Sequence, residues 1–436
     1  MTDSQASALP PPPATTSAQL PSPDTGLPEV SARYIWLMVL AQFGVFIAFI
    51  TPLAISLSVR LAQLAPGHEE YLGYITGAGA ATVVVTGPLL GVLSDRTRSR
   101  LGRRRPFMVV GTLVGIVSLV VMATAPSVLV LGLGWVLAQL GWGQALGALT
   151  NSQADRLPES QRGKVAGLVG FGTLVAPAVG VTLAGGFVGD PLLLFLVPGA
   201  IGAVLVALFV ALVPEPDSRG SSFGAPLTIG ALARKYVFDP RRYPDYSWAW
   251  LSRFLFYFGL TLNTTFVAFF LASRLGVGVQ EVAGTVAALS GLGVLATSAG
   301  AIGGGFLSDR LRRRRAFVLA AGAVFALGAA VMALAGNLPL LFAGSLTTSI
   351  ALGMFSAVDQ ALVLDVLPER ESEAGRFMGI IGFATSVPQS AAPLVAPVVL
   401  AVGATATGKN YTLLFFVAAA CTVLSGLAVL RVKSVR

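Results

Sequence analysis

Charge is scarce in this chain of 436 residues: Asp, Glu, Lys and Arg make up 11% of it, against 55% hydrophobic residues. An ordinary soluble domain carries roughly 25% charged residues. There is too little polar surface here to keep a folded body of this size in water. Cysteine occurs once, as Cys421 inside the last apolar run. That excludes an intramolecular disulfide framework and leaves a small buried hydrophobe. Histidine also occurs once, as His68, followed directly by Glu69 and Glu70, and reads as an exposed loop residue. No His/Cys/Asp metal cluster, no nucleophile beside a base and no nucleotide-binding loop is present. Enzyme chemistry, a metal and a cofactor are therefore not expected. The first thirty residues lack a basic start and an apolar centre, so they do not form a secretory signal. Rich in Pro, Ser and Thr, residues 1–32 read as a disordered tail.

What the chain has is apolar sequence in unbroken runs of roughly twenty residues, the length that crosses a bilayer as a helix. Twelve such runs fall near 34–59, 71–94, 106–125, 128–152, 164–187, 191–213, 247–273, 281–307, 316–335, 338–364, 376–402 and 411–431. The expectation is an all-α integral membrane protein with twelve spans. If the tail lies on one side, 25 of the 29 Lys and Arg residues share that side, and only Arg60, Arg274 and Lys409 lie on the other. The positive-inside rule makes the rich side cytoplasmic, with both termini there. The cell membrane is the expected location. The net charge of +9 then reflects topology and attraction to an anionic leaflet, not nucleic-acid binding.

The chain also repeats itself. Gly91-Val-Leu-Ser-Asp95-Arg96 returns as Gly305-Phe-Leu-Ser-Asp309-Arg310, each followed by an arginine cluster and a phenylalanine. Asp155-Arg-Leu-Pro158-Glu159 returns as Asp365-Val-Leu-Pro368-Glu369. Gly163, Gly167, Gly170 and Phe171 return as Gly375, Gly379, Gly382 and Phe383. The offsets are 214, 210 and 212 residues. So constant a register predicts two homologous six-helix halves, 33–213 and 247–431. A cytoplasmic linker, 214–246, joins them, and a short tail, 432–436, ends the chain. Two such halves related by an axis along the membrane normal describe a transporter that rocks about a central site.

At this point the sequence resembles the major facilitator superfamily over residues 34–431. The loop signature of that family is present as Gly91, Asp95, Arg96, Gly102, Arg103 and Arg104. The resemblance implies the major facilitator fold, two pseudo-symmetric six-helix bundles, and a cytoplasmic gate. A carboxylate at the end of span two gains from facing a helix N-terminus in the other half. Asp95 is expected to face span eleven near Gly375 and Arg376. By symmetry Asp309, beside Arg310, is expected to face the start of span five near Arg162 and Gly163. Such contacts form only when that side is shut, so they bias one of two states.

The longer form of the loop, SDRTRSRLGRRRPF, resembles that of plant sucrose–proton symporters and their bacterial relatives, as do Gln42-Phe43-Gly44 and YSWAWLSRFLFYFG at the start of span seven. The plant symporters carry an acidic residue and an arginine in span four. The corresponding places here are Gln139 and Thr150, neither of them charged, so the plant coupling route does not carry over. Charge inside a span costs a few kcal/mol or more and marks a functional site. Two residues qualify, Asp359 in span ten and Arg253 in span seven. Asp359 lies six residues inside Asp365, about 9 Å along the helix. A mutual salt bridge and a role in proton coupling both stay open for the pair. Near the midplane gather Gln42, Gln139, Trp142, Gln144, Tyr257, Asn263, Gln360 and Gln389. Amides, hydroxyls and an aromatic face suit a sugar, although each also serves to bridge two helices. The expected function is alternating-access transport of a sugar or glycoside with protons. The rival is proton-driven efflux, suggested by Gly172-x-x-x-Ala176-Pro177-x-x-Gly180 in span five, a near match to an antiporter motif.

Overall fold

The computed structural model describes residues 28–219, 238–369, 373–404 and 409–435. Most of the expected tail, and residues 220–237 of the expected linker, lie outside the described residues. Among those described the chain is helical, with no strand. Ten helices are long and apolar enough to cross a membrane, and two bent pairs raise the number to twelve if each pair is one span. Counted that way, spans one to six are Ala32–Leu64, Tyr71–Asp95, Arg105–Ala123, Val128–Arg156, Glu159–Gly185 and Pro191–Leu212. Span seven is Pro244–Thr265 continued by Val267–Leu275, and span eight is Ala283–Leu311. Spans nine to twelve are Arg314–Leu334, Leu338–Asp365, Ala374–Ala401 and Tyr411–Val429. Several helices outrun their apolar stretches at the arginine-rich end: span four reaches Arg156 and span five begins at Glu159. Hydropathy ends at the first charges, but backbone hydrogen bonding continues where water can solvate the side chains.

Local chemistry sets the helix ends and breaks. Ser31, Ser127, Asp190, Asn337 and Asn410 cap spans one, four, six, ten and twelve by accepting backbone N–H groups. Pro52 inside span one has no N–H to donate, and the helix passes it as a π turn, Pro52–Ser56, with the Leu57 N–H donating to the Pro52 carbonyl. Span seven bends by 48° at Phe266 without a proline or glycine. Three threonines crowd the bend: the hydroxyls of Thr261, Thr264 and Thr265 donate to carbonyls one turn back, at 2.7, 3.0 and 2.7 Å. Such back-bonding competes with the helical ladder and bends it.

The packing is duplicated. Span one packs on four, five and six, two on four, and three on four and six. Span seven packs on ten, eleven and twelve, eight on ten, and nine on ten and twelve. The first group meets the second through two mirrored pairs, span two with eleven and span five with eight. At the end away from the arginine clusters spans two and eleven are tightly packed. A side chain at Gly73 would stand 2.2 Å from the Pro393 carbonyl, and one at Gly77 2.5 Å from Leu394. Glu70 and Lys409 form an ion pair across the same seam at 2.9 Å, and His68 Nδ1 lies 3.0 Å from the other carboxylate oxygen. At the arginine-rich end, no atom lies within 4 Å of where a side chain would begin at Gly87, Gly91, Gly163, Gly167 or Gly170.

Burial alone would raise the Glu70 carboxyl, but Lys409 and His68 outweigh it and hold Glu70 below the usual glutamate range. Because its charged form is favoured, the pair steadies the closed end above the ordinary Glu value of about 4.3. That contribution fades as pH falls through the depressed value. In a Cys421→Ala background carrying Ser390→Cys, beside Gly77 in the seam, Glu70→Gln is expected to speed thiol labelling severalfold. An unchanged rate would show that the ion pair does not hold this end closed.

Candidate functional site

Apart from the seam around Glu70, polar side chains concentrate in two regions: the arginine-rich end, and the interior of the spans. At the first, Arg104 is nearly buried and gathers its neighbours. It pairs with Asp95 at 2.6 Å and Asp155 at 2.9 Å, and donates to Ser94 Oγ at 2.8 Å. Arg103 adds a second bond to Asp155 at 2.8 Å. The second half repeats the arrangement: Arg314 pairs with Asp309 at 3.3 Å and with Asp365. Each network ties the ends of three consecutive spans together. The expected contacts of Asp95 with span eleven and of Asp309 with span five are not among those described. Both carboxylates instead turn to an arginine of their own half. Arg162 donates to the Leu157 carbonyl, Arg310 is exposed, Arg96 is half-buried, and Arg376 pairs with Glu373 and stacks over Phe377.

Gly102 has a structural reason. Its φ of +85° turns the chain so that the N–H groups of Arg103, Arg104 and Arg105 converge on the Glu215 carboxylate, at 3.2, 3.0 and 2.9 Å. A side chain at Gly102 would stand 2.4 Å from Glu215. The carboxylate therefore caps span three from beyond span six.

Inside the spans, Arg253 and Asp359 meet. Arg253 Nε donates to Asp359 Oδ2 at 2.6 Å, and its Nη2 donates to Gln360 Oε1 at 3.1 Å. Arg253 and Asp359 are 8% and 2% exposed, so the charges neutralise each other out of water. Tyr257 stands edge-on to Phe355 beside them. The corresponding helix pair of the first half, spans one and four, is bridged by neutral amides: Gln42 donates to Gln153 at 2.8 Å.

A cavity of about 220 Å³ opens between spans two and four, and Gln139, Gln144, Asn151 and Thr86 line it. Sequence reasoning found the two glutamines but missed Asn151, although 144, 147 and 151 recur at i, i+3 and i+7 on one helical face. Asn263 is buried and its Nδ2 has no partner among the described residues. It stands three residues before the bend of span seven, and a discontinuous helix is where transporter sites form. Trp142 is elsewhere: it is fully buried against Gly115 of span three, so it packs the first bundle. Gln389 is exposed on span eleven. The antiporter-like stretch of span five is also a packing face. Gly172 approaches Phe43, Gly180 lies against Thr51, and Ala176 is fully buried.

Two outcomes are expected. Gly102→Ala will lose about 1 kcal/mol or more of stability, since a left-handed φ and a clash with Glu215 coincide; thermal unfolding in detergent measures it. Asp359→Leu strands a buried guanidinium and will cost about 3–5 kcal/mol, whereas Arg253→Met with Asp359→Leu will recover most of that loss. A double variant as unstable as the single one would mean that the pair itself stabilises the fold.

The comparisons agree on the architecture. The nucleoside transporter NupG, in its D323A mutant, superimposes with a TM-score of 0.73 over 91% of this chain and 99% of that one, at 14% identity. A bacterial homologue of the human lysosomal transporter Spinster, inward-facing and unoccupied, gives 0.69 over 93% and 99%, at 18% identity. At these identities the likeness is one of fold. In sequence, 108 residues are 34% identical to the general alpha-glucoside permease of Schizosaccharomyces pombe (strain 972 / ATCC 24843), covering 23% of this chain. The match spans only 18% of that permease. The Major Facilitator Superfamily profile matches residues 35–303 and again 249–436. With the duplicated packing, the two mirrored seams and the loop networks, this makes the chain a member of the Major Facilitator Superfamily and a transporter rather than an enzyme.

Proposed function

We propose that this transporter works by alternating access in the cell membrane and carries a sugar or glycoside together with protons. The observation that carries the reading is the polar interior: a buried Arg253–Asp359 pair in one half, and in the other a cavity lined by amides and a hydroxyl. Amides and hydroxyls match the hydroxyl-rich edge of a sugar, and the unpartnered Asn263 amide adds a donor. The local similarity to an alpha-glucoside permease points the same way. The close resemblance of SDRTRSRLGRRRPF to the loop of sucrose–proton symporters adds to it. Asp359 is the coupling residue in this reading. Rocking exposes the Arg253–Asp359 pair to each side of the membrane in turn, and Asp359 takes up a proton on one side and releases it on the other.

The orientation follows from the arginine asymmetry, with both termini cytoplasmic. The described conformation is then open inward: the Glu70–Lys409 seam closes the outer end, and the networks around Arg104 and Arg314 sit on separate halves. Asp95 and Asp309 act as latches on the return stroke. Efflux has less support, because the glycine motif that suggested it packs span five against span one.

A thermal-stability screen of the purified protein against mono- and disaccharides, glycosides and lipophilic cations tests the substrate. A bound ligand raises the apparent melting temperature by mass action. A sugar-dependent rise, weakened in Asn263→Leu or Gln139→Leu, is the expected result; a rise with lipophilic cations alone would overturn it. In proteoliposomes, Asp359→Asn is expected to abolish proton-driven accumulation and to spare exchange. Undiminished accumulation would remove Asp359 from the coupling step.

A further inference from the structure

At the arginine-rich ends, where the ion-pair networks are duplicated, the two halves differ in how the next helix begins. In the first half, the left-handed residue Gly102 and the start of span three form a nest of N–H groups, and the Glu215 carboxylate fills it. The second half has a left-handed residue at the corresponding place. Arg312, 210 residues on, is also left-handed, with φ +51°, and Arg313 precedes span nine without a side-chain cap. The chain after span twelve takes the place of the chain after span six: Arg315 donates to the Val432 carbonyl at 2.6 Å, as Arg105 does to Val213 at 2.5 Å. Among the described residues it brings no side-chain carboxylate. Where Glu215 would sit, a cavity of about 1120 Å³ opens, lined by Arg312, Arg313, Arg314, Arg315 and Ser434.

A second observation points to a ligand. Ser308 also lines this cavity, is 1% exposed, and its hydroxyl has no hydrogen-bond partner among the described residues. Its counterpart Ser94 accepts from Arg104; Arg314 instead turns to the Ala361 carbonyl and Asp365. Asp309 and Asp365 reach the cavity too, but Arg314 holds both. Arg312 and Arg313 form no ion pair among those described. Successive N–H groups at a turn make an anion-binding concavity, a helix N-terminus adds favourable potential, and guanidinium groups grip phosphate oxygens in pairs.

We propose that the cavity at the start of span nine is a binding site for a phosphate group, supplied by the headgroup of an anionic lipid or by soluble phosphate. The phosphate does for the second half what Glu215 does for the first: it caps the helix and neutralises the arginine cluster. Only the choice of leaflet rests on the orientation proposed above; binding is read without transport, so failure of the sugar reading leaves this test intact.

The full-length protein, in phosphatidylcholine nanodiscs, is titrated with inorganic phosphate against chloride. In parallel it is reconstituted with increasing phosphatidylglycerol. A saturable rise in melting temperature is expected with one of the two probes, and which one identifies the source. Arg312→Gln with Arg313→Gln is expected to weaken the effect tenfold or more. Ser434→Glu, which supplies an internal carboxylate, is expected to abolish it. Arg98→Gln with Arg100→Gln, on the loop of the first half, should leave it unchanged. No rise with either probe, a rise that survives both cavity variants, or an equal loss in the Arg98/Arg100 variant would each overturn the proposal.

Discussion

One guanidinium held between two carboxylates fixes the arginine-rich end of each half, and the rest of the architecture depends on it. Arg104 joins the ends of spans two, three and four, and Arg314 joins spans eight, nine and ten. Spans two and eight are also seam helices, meeting spans eleven and five of the other half. A seam helix locked to its neighbours cannot slide alone; its whole bundle must turn with it. The networks thereby convert a set of helices, each marginally attached to the next in an apolar solvent, into two bodies that move as units.

The number of spans, their order and the duplication were legible in the sequence because the bilayer forces every backbone hydrogen bond to close within a helix, leaving apolar length as a direct signal. The loop signature was legible as well, but not the division of labour within it. Six arginines crowd residues 96–105, and nothing in their spacing singles out Arg104 as the nearly buried one. Span seven bends on threonines that look like ordinary helix residues, whereas Pro52, the obvious breaker, only inserts a π turn. Trp142 and Gln144 sit two residues apart in one helix, yet one packs on Gly115 and the other lines a cavity. The face a residue presents is settled by its neighbours in other helices, which the linear chain does not display.

The halves share a skeleton and diverge in chemistry. Spans one and four are bridged by Gln42 and Gln153, spans seven and ten by Arg253 and Asp359. A neutral amide bridge tolerates water and gives little when broken, whereas a buried ion pair can be separated only if a proton or another partner compensates the stranded charge. Duplication has thus left one half with a neutral polar bridge and the other with a charged one.

The bend in span seven has a mechanical consequence. Its long segment carries Arg253 and anchors to span eleven through Tyr246 and Trp250, which donate to the Phe377 and Ile380 carbonyls. Its short segment, Val267–Leu275, packs by different contacts, with Arg274 tied to Thr412 and the Ala333 carbonyl. The threonine-rich joint between them acts as a universal coupling: the short piece can swivel while the long segment, and the charges it carries, keeps its register.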